Sequence, residues 1–231
     1  MSIFSVGGST SSDSAAESKS VRIPHSGSSY LSRAFAANGD RKTWTVSFWT
    51  KLTDMGNSRQ LFGASTNASI GNPWPGFIVS IDPTSTSGLS VEEYNGSSYN
   101  AIKQTANLLR DPSAWYHIVI RWDTREVTAD NRLRIYINGT EATYNGTNTN
   151  PSQNYEGYWN NDYTYRIGKG GSSNGDFDGY IAEFYNIDGQ SLDPSYFAET
   201  DSDTNQWKPK TAEDIKAAVT FGVNGFYLPF S

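Results

Sequence analysis

From Val21 onward the chain runs in short stretches where apolar and polar residues alternate, separated by clusters of Gly, Asn, Ser and Asp. That two-residue period places successive side chains on opposite faces of a pleated strand, and the intervening clusters are turn formers. It predicts strands at 21–23, 29–32, 43–51, 59–64, 76–81, 89–94, 99–104, 114–122, 132–137, 163–168, 177–187 and 225–230. In 43–51, Trp44, Val46 and Phe48 alternate with Thr45, Ser47 and Trp49, so one of the two faces is expected in the core. The longest alternating run, from Phe177 to Ile187, ends in the turn residues Asp188-Gly189.

Helical periodicity is nearly absent. A turn near Pro194–Ala198 and a short helix over 212–218 are the exceptions, the latter with Thr211 placed to cap free amides and with Glu213 and Asp214 in its first turn. Many short strands without intervening long helices specify an antiparallel sandwich rather than a βαβ fold. Three sequons begin Asn-Gly, at Asn95, Asn138 and Asn145, and these read first as tight turns.

The 231 residues suit one large all-β domain at 21–231. Residues 1–20 are too rich in Ser, Gly and Ala to offset the entropy of ordering by burial, and are expected to be a flexible or docking arm. Hydrophobic residues make up only 36% but aromatics 14%, so large rings should carry much of the core. A net charge of −6 without basic runs disfavours nucleic acid, and no apolar stretch approaches the roughly 20 residues of a membrane span. Residues 1–20 contain no apolar core of a secretion signal, and the chain has no cysteine. Disulfides, thiolate metal sites and thiol catalysis are therefore excluded.

Val21-Arg-Ile, Tyr30-Leu-Ser-Arg33, Gly39-Asp-Arg-Lys-Thr-Trp-Thr45 with Ser47-Phe-Trp49, and Arg110-Asp-Pro-Ser-Ala-Trp-Tyr-His-Ile-Val119 occur in order. Arg132-Leu-Arg-Ile-Tyr-Ile-Asn-Gly139, Phe177-Asp-Gly-Tyr-Ile-Ala-Glu183, Ile187-Asp-Gly-Gln190 and Asn224-Gly-Phe-Tyr-Leu228 follow. The ordered set resembles the concanavalin A-like, laminin-G-like jelly-roll proteins of tailed phages. The resemblance implies a jelly-roll β-sandwich of the lectin/glucanase type, with first and last strands as neighbours. It also implies a virion structural protein, in a tail fibre, a head fibre or a capsid decoration. Such a protein is assembled in the host cytoplasm, displayed on the particle surface, surrounded by other virion proteins, and homo-oligomeric, a trimer by analogy with phage fibres. A free carbohydrate-binding lectin-like module is the alternative.

A glycoside hydrolase needs two carboxylates about 5–9.5 Å apart across the scissile bond. Asp176, Asp178 and Glu183 come nearest, but Glu183 has the opposite strand parity and shares their face only if a bulge intervenes. No enzyme is expected. His117, in an apolar strand, reads as a buried or edge residue rather than a base. No cofactor is required; calcium is the candidate metal, with Asp176 and Asp178 as ligands and Asp54, Asp82 and Asp123 as further contributors.

For host-surface polysaccharide, flat rings and amides are the expected contacts. Tyr155, Tyr158, Trp159, Asn160 and Asp162 in the 150–163 stretch form one such set, and Trp74, Tyr94 and Tyr99 a second. The same rings can instead lid the sandwich or pack a neighbouring subunit.

Overall fold

The computed structural model describes residues 19–25, 29–65, 75–84, 86–146, 148–169 and 176–230. The expected arm lies outside these except for Lys19 and Ser20, and Ser20 already pairs with Ala182. Two antiparallel sheets form a jelly-roll sandwich. The larger orders β1 (Ser20–Ile23), β12 (Gly179–Asp188), β3 (Thr43–Leu52), β8 (Tyr116–Asp123), β9 (Leu133–Ile137) and β10 (Thr140–Glu141), with β15 (Phe226–Leu228) also on β12. The smaller orders β2 (Leu31–Ala34), β11 (Thr164–Ile167), β4 (Arg59–Ser65), β5 (Gly76–Ile81), β6 (Leu89–Tyr94) and β7 (Tyr99–Gln104).

Between the sheets, Trp44, Phe48, Phe62, Phe77, Trp122, Trp159 and Phe184 are fully buried. Trp44 and Trp122 stack at 5.5 Å, and Phe48 meets Phe62 edge-on at 5.4 Å. Each fully buried ring of this kind stabilises the fold by roughly 1.5–3 kcal/mol relative to exposure.

Both faces of β3 are buried, not one. The chain after β12 folds back over the outer face of the larger sheet. There Leu192, Phe197, Ile215 and Val219 pack on Val119, Tyr136, Tyr185 and Ile187. Ile215 belongs to α1 (Ala212–Ala218), whose Thr211 cap accepts a hydrogen bond from Asp214 N–H. The hairpin of β13 (Ala198–Thr200) and β14 (Trp207–Pro209) sets Ala198 and Trp207 against Trp49 and Ala182. No helix among the described residues is long and apolar enough to cross a membrane.

Two further expectations change. The first and last strands do not pair with each other: β1 bonds to residues 179–182 of β12 and β15 to residues 184–186, end to end along one edge. The break between them is a bulge, because pairing with β3 jumps from Ala182–Trp49 to Tyr185–Ser47 and leaves Glu183 and Phe184 opposite Phe48. Glu183 takes φ +48°, a left-handed backbone that costs a non-glycine residue of order 1–3 kcal/mol. The β9–β10 turn is as expected, with Asn138 and Gly139 both at positive φ.

Candidate functional site

At one end of the smaller sheet, β6 and β7 are joined by a tight turn. Asn95 Oδ1 accepts the N–H groups of Ser97 and Ser98, both at 2.9 Å, and Gly96 takes the positive φ that the turn requires. The turn sets Tyr94 and Tyr99 side by side with ring centroids 5.1 Å apart; Tyr99 is 46% exposed. Asn100 Nδ2 donates to Tyr155 Oη at 2.6 Å, and Tyr155 O–H donates to Glu93 Oε1 at 3.3 Å. The same Oε1 accepts Tyr158 N–H at 2.5 Å, and Tyr158 stacks on Tyr163 at 6.0 Å. Four of the expected contact residues, Tyr94, Tyr99, Tyr155 and Tyr158, thus form one rim.

Glu93, beneath that rim, was not legible as part of it. It sits on the inward face of β6, 1% exposed, and burial pushes its carboxyl up to about 8, against the weaker opposing pull of its hydrogen bonds and Arg41. Its Oε2 has no hydrogen-bond partner among the described residues.

Other expected contacts lie elsewhere. Trp159 and Asn160 are completely buried, so neither ring face nor amide is open to a ligand. Trp159 N–H donates to Asn186 Oδ1 at 2.9 Å, Asn186 Nδ2 to Asn160 Oδ1 at 3.0 Å, and Asn160 Nδ2 to Asp188 Oδ1 at 3.1 Å. These bonds let a polar loop enter the interior, which is why a stretch that reads as solvent-facing is partly core. Asp162 is exposed, its N–H held by Asn38 Oδ1 at 3.0 Å. Trp74 lies outside the described residues.

Asp176 and Asp178 do not fit a calcium site. Asp178 Oδ1 is 2.5 Å from Arg22 and accepts from Thr53 at 2.9 Å, while Asp176 Oδ2 faces Lys169 at 3.4 Å. Each carboxylate already has a cation beside it, and no group of three metal-ligating side chains occurs among the described residues. The bulge does turn Glu183 to the outer face, where Asp178 also lies with Arg22. Five residues of strand nevertheless separate them by about 16 Å, too far to flank one bond. Glu183 Oε2 instead accepts the hydroxyls of Tyr185 at 3.1 Å and Tyr227 at 2.7 Å.

Glu183 opens onto a pocket that the sequence did not suggest, on the outer face of the larger sheet, lined by Trp49, Trp115, Ala182, Trp207, Lys208 and Pro209 as well. Its walls are fixed from behind by His117. Trp207 N–H donates to His117 Nδ1 at 3.0 Å, so the neutral ring carries its proton on Nε2 and donates to Ser47 Oγ at 2.9 Å. Trp49 stacks on the same imidazole at 4.9 Å. Burial lowers the His117 pKa to about 3, as suits a structural histidine rather than a base.

The family model for the concanavalin A-like lectin/glucanases superfamily matches residues 25–190. No curated protein matches the chain. Among solved structures, the native heptameric SAP-like pentraxin of Limulus polyphemus is similar over 74% of this chain and 72% of its own, at 19% identity and a TM-score of 0.51. The CBM40 of Ruminococcus gnavus IT-sialidase aligns over 77% of this chain and 93% of its own, at 12% identity and 0.49. Domains LG4-5 of the mouse laminin α1 chain align over 78% and 43%, at 14% and 0.48. With the sandwich, its strand order and the family match in agreement, the chain belongs to the concanavalin A-like lectin/glucanases superfamily.

Proposed function

We propose that this protein is a non-catalytic, glycan-binding surface component of a tailed-phage particle, with the tyrosine rim as its contact. The lectin-like fold supports the binding, and the ordered motifs from Val21 to Leu228 support the particle. The observation that carries the reading is the Tyr94–Tyr99 pair, an open aromatic shelf beside the amides of Asn95 and Asn100. Rings of this kind stack on the apolar faces of sugars, and the two amides, bonded to the turn, to each other and to Tyr155, hold the shelf in place. The pocket holding Glu183 has no second carboxylate in its lining, so it offers no acid pair for hydrolysis.

A glycan array with host-surface polysaccharides tests the contact. Tyr99→Ala should weaken binding about tenfold with the melting temperature unchanged, because the ring is half exposed and its loss costs on the order of 1 kcal/mol of contact. No glycan bound by the wild type, or equal affinity in Tyr99→Ala, would overturn the assignment. A free lectin-like module would use the same rim. Gradient-purified particles separate the two: the chain should co-purify at a fixed copy number, and its absence from particles removes the virion role while leaving the glycan role intact.

A further inference from the structure

The tryptophan pocket lies on the opposite sheet from the tyrosine rim, and Trp207 and Lys208 fall outside the 25–190 region matched by the family model. It has a volume of about 230 Å³ and is walled by three indoles with one carboxylate, Glu183. Lys208 contributes its stem, since its ammonium is engaged by Asp201 at 2.7 Å and Glu199 at 4.0 Å. Lys208, the one cation in the lining, is thus paired with two carboxylates, and Glu183 is the one carboxylate in the lining.

The site is built rather than incidental. Glu183 reaches it only through its own strained left-handed backbone within β12, and two tyrosine hydroxyls fix its carboxylate. His117 orients Trp49 and Trp207 together, and Trp207 packs against Gly139, where an added Cβ would sit 2.9 Å from the ring. Of the pocket's three indoles the exposed one is Trp115, at 37%.

Three classes of ligand can be compared with this lining. A neutral sugar needs several hydrogen-bonding groups, and the pocket offers one carboxylate, whose Oε2 already accepts from Tyr185 and Tyr227. A primary ammonium carries three N–H donors and would leave most of them unmatched. A quaternary ammonium has no donor to satisfy, presents an apolar surface of methyl groups, and is attracted both by indole rings and by a carboxylate. We infer that this pocket binds a quaternary ammonium group of the choline type.

Calorimetric titration of the full chain with choline chloride tests this, alongside 3,3-dimethylbutan-1-ol, the uncharged isostere. Choline should bind with a Kd of about 1 mM or tighter, and the isostere at least about tenfold more weakly. Trp115→Ala and Glu183→Gln should each weaken choline about tenfold while leaving glycan binding at the rim unchanged. If Glu183→Gln misfolds, the exposed Trp115→Ala still decides. No choline binding by the wild type, equal binding of the isostere, or an unaffected Trp115→Ala overturns the inference. Choline-competed sedimentation with phosphatidylcholine vesicles assigns the group to a lipid headgroup; choline binding without sedimentation assigns it to a free solute.

Discussion

Asp188→Ala should destabilise the protein by about 3–5 kcal/mol in urea titration at neutral pH, enough to remove much of the stability of an ordinary domain. The side chain is 4% exposed and accepts three hydrogen bonds from groups far apart in sequence. Asp40 N–H reaches Oδ1 at 2.6 Å, Asn160 Nδ2 reaches Oδ1 at 3.1 Å, and Asn224 N–H reaches Oδ2 at 2.9 Å. Removing the acceptor leaves the Asp40 and Asn224 N–H groups without partners and Asn160 Nδ2 with Asp40 O alone, at about 1–3 kcal/mol for each lost bond, less whatever an entering water recovers. Burial raises the pKa of Asp188, so its charge is itself costly. Asp188→Asn, which keeps the shape and one acceptor oxygen, should therefore cost less than Asp188→Ala. A loss below about 1 kcal/mol in Asp188→Ala would mean that the network contributes little.

The consequence reaches the glycan rim. Asn224 Nδ2 also donates to Ala37 O at 2.9 Å and to Asn160 O at 3.1 Å, so the network ties the 37–40 and 222–225 segments to the loop that carries Tyr155 and Tyr158. Asp188→Ala should loosen that loop and weaken glycan binding although it touches no sugar.

The local features of the fold were legible in the sequence because their causes are local. The strands 76–81, 89–94 and 99–104 and the helix 212–218 have the bounds that alternation and capping indicate. What could not be read depends on distant partners. Trp159 sits among Tyr, Asn and Asp residues that look solvated, and only Asn186 and Asp188, brought in by β12, make its burial satisfiable. The hairpin of β13 and β14 is three residues a side, too short for a periodic signal, yet it supplies Trp207. The tryptophan pocket joins residues 49, 115, 183 and 207, which nothing in their spacing connects. The tyrosine rim was half legible: its rings stood out as loop aromatics, whereas Glu93 looks like one of two ordinary strand carboxylates, Glu92 and Glu93.

Stability should hold a plateau between about pH 4.5 and 6.5 and fall on both sides, through two buried groups of opposite kind. Glu93 titrates near 4.5 when unfolded and about 8 when folded. Its raised pKa means that its contribution is complete below pH 4.5 and is lost as pH rises toward 8. His117 titrates near 6.5 when unfolded and about 3 when folded. Its lowered pKa means that its contribution is complete above 6.5 and is lost as pH falls toward 3. Between 4.5 and 6.5 the two slopes, each about 1.4 kcal/mol per pH unit, cancel. From 6.5 to 8 only Glu93 acts, and from 4.5 to 3 only His117, so each limb should lose about 2 kcal/mol. Asp188 and Glu92, both raised by burial, add a fall with rising pH of the Glu93 kind; Asp178, lowered by its bonds to Thr53 and Arg22 in spite of burial, adds to the acid limb. Chemical denaturation at pH steps from 3 to 9, on the wild type, Glu93→Gln and His117→Gln, separates the limbs. Glu93→Gln should flatten the alkaline side and extend the acid limb up to about pH 6.5, and His117→Gln should flatten the acid side and extend the alkaline limb down to about pH 4.5. Ionising Glu93 also places a charge against Tyr155 and Tyr158, so glycan affinity should decline over the same alkaline range in the wild type and not in Glu93→Gln. An alkaline slope that survives in Glu93→Gln would show that the carboxyl under the rim does not govern it.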